Sequence, residues 1–423
     1  MRDLLADLSA RSSGDIAWKS INCSWPHVAS LSENIRFSWS RRRYPRVQYQ
    51  ADNPIETLAV IAAFSILPAE LEIRPPWLQS NEFNVGCQLT VDHWNPIFEV
   101  DKTNECDESQ MSPRLTLFSS GSTGRPHPTT WRWDEVSVWA SQSQTVRGGK
   151  WLCAYPPSTF AGLQALFFAI IGCGSLTLLG PSDSLSGSLD AANEFQLSMS
   201  TPSFWRRVLL TEKSSLRRLR FETISMGGEI VDNALIRKLK ENFPLARIRH
   251  VYASSDLGSL FCVSDERAGF PATWLNERRT GGIQLAIREG VLWISKGETA
   301  DWRSTGDVVK VVGDRVLFKG RVADIINVAG QKVSSRAVEE AIRTMEEVCE
   351  VRAYAYPNSV TGEIVAADIV LNDPSSQEDI EFRLRRHLMR ELPAHAVPRR
   401  IRFVPTIHFA NSGKVKMNKE EMP

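Results

Sequence analysis

The segment Leu115-Thr-Leu-Phe-Ser-Ser-Gly-Ser-Thr-Gly-Arg-Pro126 has the residue types needed to hold an anion. A short apolar run, predicted as a strand, empties into a loop of small hydroxyl and glycine residues. Gly121 and Gly124 permit positive-φ backbone with no Cβ in the way. Ser119, Ser120, Ser122 and Thr123 add hydroxyls. Successive amide N–H groups in such a loop form a nest for an anion, such as a nucleotide's phosphates. A plain Ser/Gly turn after a strand accounts for the same residues equally well. A kinase-type P-loop is excluded: that pattern needs a Lys–Ser/Thr pair after the second glycine, and Arg125-Pro126-His127 stands there.

Further groups follow in order along the chain. Gly227-Gly228-Glu229 follows an apolar strand, and Tyr252-Ala-Ser-Ser255-Asp256 ends in an acid. Ser304-Thr-Gly-Asp307 precedes Lys319-Gly-Arg321-Val-Ala-Asp324 and Asn327-Val-Ala-Gly-Gln-Lys332. Asn411-Ser-Gly-Lys414 lies near the end. Each has a bland reading: a glycine turn, a helix N-terminal acid, a Gly-Asp turn, a frayed basic tail. Taken together, from about Ile55 to Lys416, their order and spacing resemble the adenylate-forming superfamily. That superfamily includes acyl-CoA synthetases, the adenylation domains of nonribosomal peptide synthetases, and luciferases.

The resemblance implies attack of a carboxylate on the α-phosphorus of ATP, with pyrophosphate leaving. Such chemistry needs neutralised phosphates, an in-line approach and a cation at the pentavalent centre. By the same resemblance, Ser119–Gly124 would hold the β- and γ-phosphates. Gly228 and Glu229 would lie against adenine, with Tyr252 lining the nucleotide site and Ser255 contacting phosphate. Asp256 would bind Mg²⁺, Asp307 the ribose hydroxyls, and Arg321 the ribose or α-phosphate. Lys414 would bridge carboxylate and α-phosphate, a role suited to an ammonium on a flexible stem, with Lys416 as the fallback. Lys414, Thr123 and Asp256 are therefore the expected catalytic set.

Three positions depart from the family pattern. His127 stands where lysine is usual, and histidine is only a part-time cation at neutral pH. Asp256 replaces a glutamate, a gap that a metal-bound water could fill. Ala323 stands at the usual aspartate or lysine of the hinge, where a residue need only absorb a φ/ψ change. The acyl pocket is expected from Thr159, Phe160 and Ala161 with Ser225, Met226 and Gly227. The segment Tyr155–Gly162 contains no acid. An amino acid's ammonium would lie there unpaired, at a cost of several kcal/mol. An aryl or small acyl acid is the expected substrate, with coenzyme A or carrier-protein phosphopantetheine as thiol acceptor. An amide- or ester-forming synthetase and a degenerate, non-catalytic nucleotide-binding homologue remain as alternatives.

The elements that must position these residues read as α/β. Apolar helices are predicted over Pro54–Leu67 and Gly162–Ile171, and strands over Trp151–Tyr155, Ser175–Leu179, Phe221–Met226 and Arg247–Tyr252. This alternation indicates a largely parallel sheet. Residues 80–113 show no clear period. Val291–Ser295 and Val308–Phe318 read as hairpin strands turning at Gly313-Asp314. Beyond them Ser335 is expected to cap a helix carrying Val338, Ala341, Ile342 and Met345 at i, i+3, i+4 and i+7. Strands Val348–Tyr356 and Val365–Leu371 and a helix striped with Ile380, Leu384, Leu388 and Leu392 complete a small unit. The expected architecture is a large layered α/β N-terminal domain (1–321) with a shortened first subdomain. A small α+β C-terminal lid (322–423) would follow it.

At 423 residues the chain exceeds what one core usually holds. A net charge of +1 gives no reason to expect nucleic acid as a partner. Seven cysteines stand singly, without a Cys-x-x-Cys pair, which favours reduced thiols and a cytoplasmic setting. The N-terminus lacks the apolar region of a secretory signal. Trp151–Ser182 carries no charge, but Gly172, Gly174, Gly180 and Pro181 punctuate it. A buried helix and strand are expected there rather than a membrane span.

Overall fold

The computed structural model describes residues 3–40, 46–76, 78, 87–100, 113–119, 127–136, 148–180, 183–185, 193–212, 216–254, 257–297, 301–372, 377–405 and 407. The chain divides after Glu266 into two compact units.

The first unit holds two sheets. The larger has eight strands, in the order Gly258–Val263, Arg247–Ser254, Leu219–Gly227, Asn193–Ser200, Gly148–Cys153, Cys173–Leu178, Asp15–Trp18, Ile21–Ser24. Every pair is parallel except the two at the edges. Central strands of such sheets are covered on both faces and read as continuous apolar runs. Trp151, Leu152, Cys153 and Ala154 are accordingly all buried. The chain leaves Gly148–Cys153 toward one side and then crosses to the other. That reversal is a topological switch point, and α/β sheets bind ligands at the carboxyl ends of their strands beside such points.

Within residues 151–180 the chain forms the expected helix, Phe160–Gly172, and strand, Cys173–Leu178. No helix among the described residues is long and apolar enough to cross a membrane.

The second sheet has six strands, with Arg114–Ser119 and His127–Arg132 at one side. Leu71, Ile73, Leu115 and Leu117 of this sheet are buried in the same apolar cluster as the helix Pro54–Phe64. Asn53 starts that helix by accepting from the Ile55 and Glu56 amides and donating 2.9 Å to the Glu56 carboxylate, a reciprocal cap. Residues 80–113 depart from the patternless reading, because Cys87–Asp92 and Asn95–Val100 form an antiparallel hairpin.

The second unit begins with a five-stranded antiparallel sheet in the order Phe270–Pro271, Arg315–Arg321, Trp302–Val312, Val291–Ser295, Gln284–Arg288. The short turn Val322–Asp324 leads to an α+β body. There Val348–Asn358 pairs with Gly362–Leu371, which also takes Arg400–Phe403 in parallel. Helices Ser335–Arg343 and Gln377–Glu391 cover one face, burying Val338, Ile342, Ile380, Leu384 and Leu388 against Val351, Val365 and Ile369. The cap of the first helix is Ser334 rather than the expected Ser335. The Ser334 residue is extended, and its hydroxyl oxygen accepts from the Ala337 amide at 3.3 Å.

Candidate active site

The predicted anion loop is the connection of a hairpin. Arg114–Ser119 pairs antiparallel with His127–Arg132, with Ser119 opposite His127. Leu115 and Leu117 anchor the first strand in the core. Ser120, Gly121, Ser122, Thr123 and Gly124 lie outside the described residues, as do Ser255, Asp256, Lys414 and Lys416.

The remaining residues of the first unit gather at the carboxyl end of the parallel sheet. After Gly148–Cys153 the chain turns through Tyr155–Thr159 into the helix Phe160–Gly172. Thr159 caps that helix: its hydroxyl donates to the Pro156 carbonyl at 2.8 Å and accepts from the Gly162 amide at 3.0 Å. A Cβ at Gly162 would collide with the same carbonyl, so the turn needs glycine. Thr159 therefore shapes the turn through its hydroxyl.

Phe160 contacts Trp131, their rings 5.6 Å apart and inclined by 41°. A Cβ at Gly258 would reach 3.6 Å from Trp131 and 3.7 Å from Phe160. The two tilted rings and the glycine make an apolar wall with no side chain at its third member. Met226, expected to line a pocket, is fully buried in the core with Ile224 and Ile248. Strand alternation leaves Ser225 and Gly227 on the other face.

Gly227 ends its strand in close quarters. A Cβ there would sit 3.1 Å from the Val251 carbonyl oxygen and 3.2 Å from the Tyr155 hydroxyl. Tyr155 thus reaches across the end of the intervening strand. Burial raises its phenol's pKa well above the usual value, against the smaller opposite pull of a backbone hydrogen bond at Gly227, so the group stays neutral. Gly228 has φ +82 and open space where a side chain would project. Backbone there is accessible to a flat ring. Glu229 is engaged by its own chain, one carboxylate oxygen accepting from the Ser203 amide at 2.9 Å and hydroxyl at 2.7 Å. Tyr252 stacks on Phe261 at 4.9 Å and 19°.

The second unit carries a paired carboxylate and guanidinium. Asp307 and Arg321 are direct cross-strand partners, with Arg321 Nε 3.2 Å from the Asp307 carboxylate. Arg321 also donates to the Thr305 carbonyl at 2.9 Å, and the Thr305 hydroxyl accepts from the Asp307 amide at 3.1 Å. Gly306, at φ +72, lets the chain turn between them. Asp307 is mostly covered and Arg321 is half in solvent. The pair is fixed in place yet reachable.

Sequence reasoning passed over Tyr155 as a neighbour of Gly227, Trp131 as a neighbour of Phe160, and Ser203 as the partner of Glu229. These relations join strands far apart in sequence, and no local spacing announces them. A thiol nucleophile has no support among described cysteines with shifted values. Burial pushes Cys23 to about 11 and Cys153 to about 12, and thiolates are the reactive form.

Known proteins share the family signature and the fold. The sequence profile of AMP-binding enzymes matches residues 56–284, more than half of the chain. That of the AMP-binding enzyme C-terminal domain matches residues 337–414. Acetyl-coenzyme A synthetase of Rhodopirellula baltica is 32% identical over 112 residues, 26% of this chain and 17% of that protein. The matches span less than half the length of the first curated relatives. The structure of anthranilate CoA ligase AuaEII in complex with anthranoyl-AMP has a TM-score of 0.76 at 15% identity, covering 98% of this chain and 95% of that one. O-succinylbenzoate coenzyme A synthetase (MenE) from Bacillus subtilis, in complex with ATP and magnesium ion, has a TM-score of 0.72 at 15% identity, covering 99% of both chains. These likenesses show a shared fold. With ordered motifs, α/β architecture and profile in agreement, the chain belongs to the AMP-binding enzymes of the adenylate-forming superfamily.

Proposed function

We propose that this protein activates an aryl or small acyl carboxylic acid with ATP to an acyl-adenylate. It then passes the acyl group to a thiol, that of coenzyme A or of a carrier protein's phosphopantetheine. The observation that carries the reading is the Asp307–Arg321 pair. An acceptor-only carboxylate beside a guanidinium suits a ribose diol next to a phosphate. Open backbone at Gly228 and the half-buried ring of Tyr252 suit a purine.

The residues present fit the nucleotide in type. Asp307 would hold the ribose hydroxyls, and Arg321 would offset charge near the α-phosphate. Ser119–Gly124 would bind the terminal phosphates through amides and hydroxyls. Asp256 is the proposed magnesium ligand, and magnesium bound there would neutralise phosphate charge. Lys414 would hold a positive charge at the carboxylate and α-phosphate. The Val322–Asp324 turn is the proposed hinge of a C-terminal lid beginning there. Phe160, Trp131 and Gly258 would offer an apolar surface to the acid's ring or short chain.

ATP–pyrophosphate exchange against a panel of aryl, aliphatic and amino acids tests the proposal. Exchange with an aryl or short acyl acid, abolished in Lys414→Ala while transfer from a supplied adenylate persists, is the expected result. ATP binding without exchange for any acid would instead identify a non-catalytic nucleotide-binding protein.

A further inference from the structure

The strand Val348–Asn358 lies at the margin of the C-terminal sheet. Among the described residues it pairs with Gly362–Leu371 alone. An edge strand of 11 residues presents a row of backbone groups on which another chain can template. Alternate residues of an antiparallel strand turn those groups away from the partner strand. Here the outward residues are Val351, Ala353, Ala355 and Pro357. Opposite Val351 and Ala355 stand Ile369 and Val365, whose carbonyls likewise turn away and accept from the Val404 and Arg399 amides.

Side chains take up the outward groups at one end of this edge. The Val351 amide donates to the Glu350 carboxylate at 3.1 Å, and the Val351 carbonyl accepts from the Arg343 guanidinium at 3.1 Å. The Ala353 amide donates to the Glu339 carboxylate at 3.0 Å. The same three side chains are joined to one another, since Arg343 Nη2 lies 3.1 Å from Glu350 and 3.4 Å from Glu339. Glu339 and Arg343 stand at i and i+4 on the helix Ser335–Arg343, which fixes their spacing. The row therefore offers acceptor, donor, acceptor in the order that a neighbouring strand would.

The row stops at Ala353. The backbone of Ala355 makes no hydrogen bond off the ladder among the described residues. Beyond it Pro357 has no N–H to offer. At the other end the register shifts between Val348 and Glu350, a bulge that interrupts the edge.

We infer that Glu350, Arg343 and Glu339 close this edge against a second copy of the chain, which would otherwise pair with it strand to strand. The edge is self-complementary. A two-fold axis at Ala353 sets Val351 opposite Ala355 of the copy, and Ala353 opposite its own counterpart. Every outward N–H and C=O of the three residues then finds a partner, with the proline and the bulge outside the paired stretch. No substrate takes part, so the inference stands apart from the choice of acid and acceptor.

Hydrogen exchange and sedimentation on the full chain test it. In the wild type the Val351 and Ala353 amides should be protected, and the Ala355 amide should exchange at least about tenfold faster. In Glu339→Ala/Arg343→Ala the sedimenting mass should rise to about twice that of the wild type at equal concentration, with the Ala355 amide now protected. Adding Ala355→Pro removes an outward N–H that the sheet does not use and should return the mass to the wild-type value. Thermal melting shows that each variant is folded, and Arg343→Gln replaces the double variant if it is not. A folded variant that keeps the wild-type mass overturns the inference, and so does association that survives Ala355→Pro. Equal exchange of the Ala353 and Ala355 amides in the wild type overturns it without any variant.

Discussion

Asp307 and Arg321 face each other because the hairpin that carries them shifts register by one residue. From the turn at Gly313-Asp314 the strands pair Val312 with Arg315 and Val309 with Phe318. The register then shifts, so that Val308 meets Gly320 and Asp307 meets Arg321. Unshifted pairing would put Gly320 opposite Asp307 and turn the guanidinium to the other face. The bulge depends on Gly320, whose φ of +121 is open to glycine and strained for other residues.

Asp307→Ala and Gly320→Ala should therefore weaken ATP binding alike, although Gly320 offers no side chain to a ligand. Arg321 is 55% exposed, so losing the ion pair should cost under about 1 kcal/mol of stability. Titration with ATP should show at least about a tenfold loss for Asp307→Ala, since a buried ribose hydroxyl would lose its acceptor. Unchanged affinity in Asp307→Ala, with the protein folded, would remove the pair from the nucleotide site.

Gly227 and Gly228 are neighbours with opposite constraints. A methyl at Gly227 meets the Val251 carbonyl and the Tyr155 hydroxyl at 3.1 and 3.2 Å, distances that force a shift of a few tenths of an ångström. A methyl at Gly228 meets nothing within 4 Å but sits at φ +82, a strain of about 1 kcal/mol. Gly227→Ala should displace Tyr155 and raise KM for the acid substrate. Gly228→Ala should lower stability and alter KM for ATP. Identical kinetic effects from both substitutions would contradict this separation.

The motifs were legible in the sequence where chemistry is local. A strand emptying into a glycine-rich loop, a Gly-Gly turn and a Gly-Asp hairpin each announce themselves by residue type. The hairpin of residues 87–100 did not. Its turn places His93 at φ 45 and Trp94 at φ 66, where Asn-Gly would be the usual signal. The Trp94 ring lies 4.4 Å from that of His27 on a distant helix, so tertiary packing supports what local propensity would refuse. Ser334 and Ser335 illustrate the same limit at smaller scale. Two adjacent serines are equivalent as letters, and only backbone direction decides which hydroxyl reaches the Ala337 amide. Asp307 and Arg321 were each legible, but their pairing depends on a bulge that no residue count reveals.

Glu229 should act through the helix it holds. Its carboxylate takes both bonds from Ser203, in the first turn of the helix Pro202–Thr211, where negative charge also favours the helix dipole. Glu229→Ala should cost about 1–3 kcal/mol in denaturant unfolding, the range for hydrogen bonds to a charged group. ATP affinity should change little beyond that. A large loss of ATP affinity at unchanged stability would mean that this carboxylate contacts the nucleotide directly.

Ser334 links the two sides of the proposed hinge. Its hydroxyl donates to the Lys319 carbonyl at 2.9 Å while its oxygen caps the helix that follows. Lys319 precedes the Val322–Asp324 turn and Ser334 follows it, so rotation about that turn must stretch or break this bond. Ser334→Ala should lose about 1 kcal/mol from the missing cap. It should also ease rotation, raising thiol-transfer turnover relative to ATP–pyrophosphate exchange. Ser334→Thr keeps a hydroxyl and should restore both the stability and the ratio. If the ratio stays fixed in Ser334→Ala while stability falls, the residue is a cap alone. The tether would then place no limit on rotation at the proposed hinge.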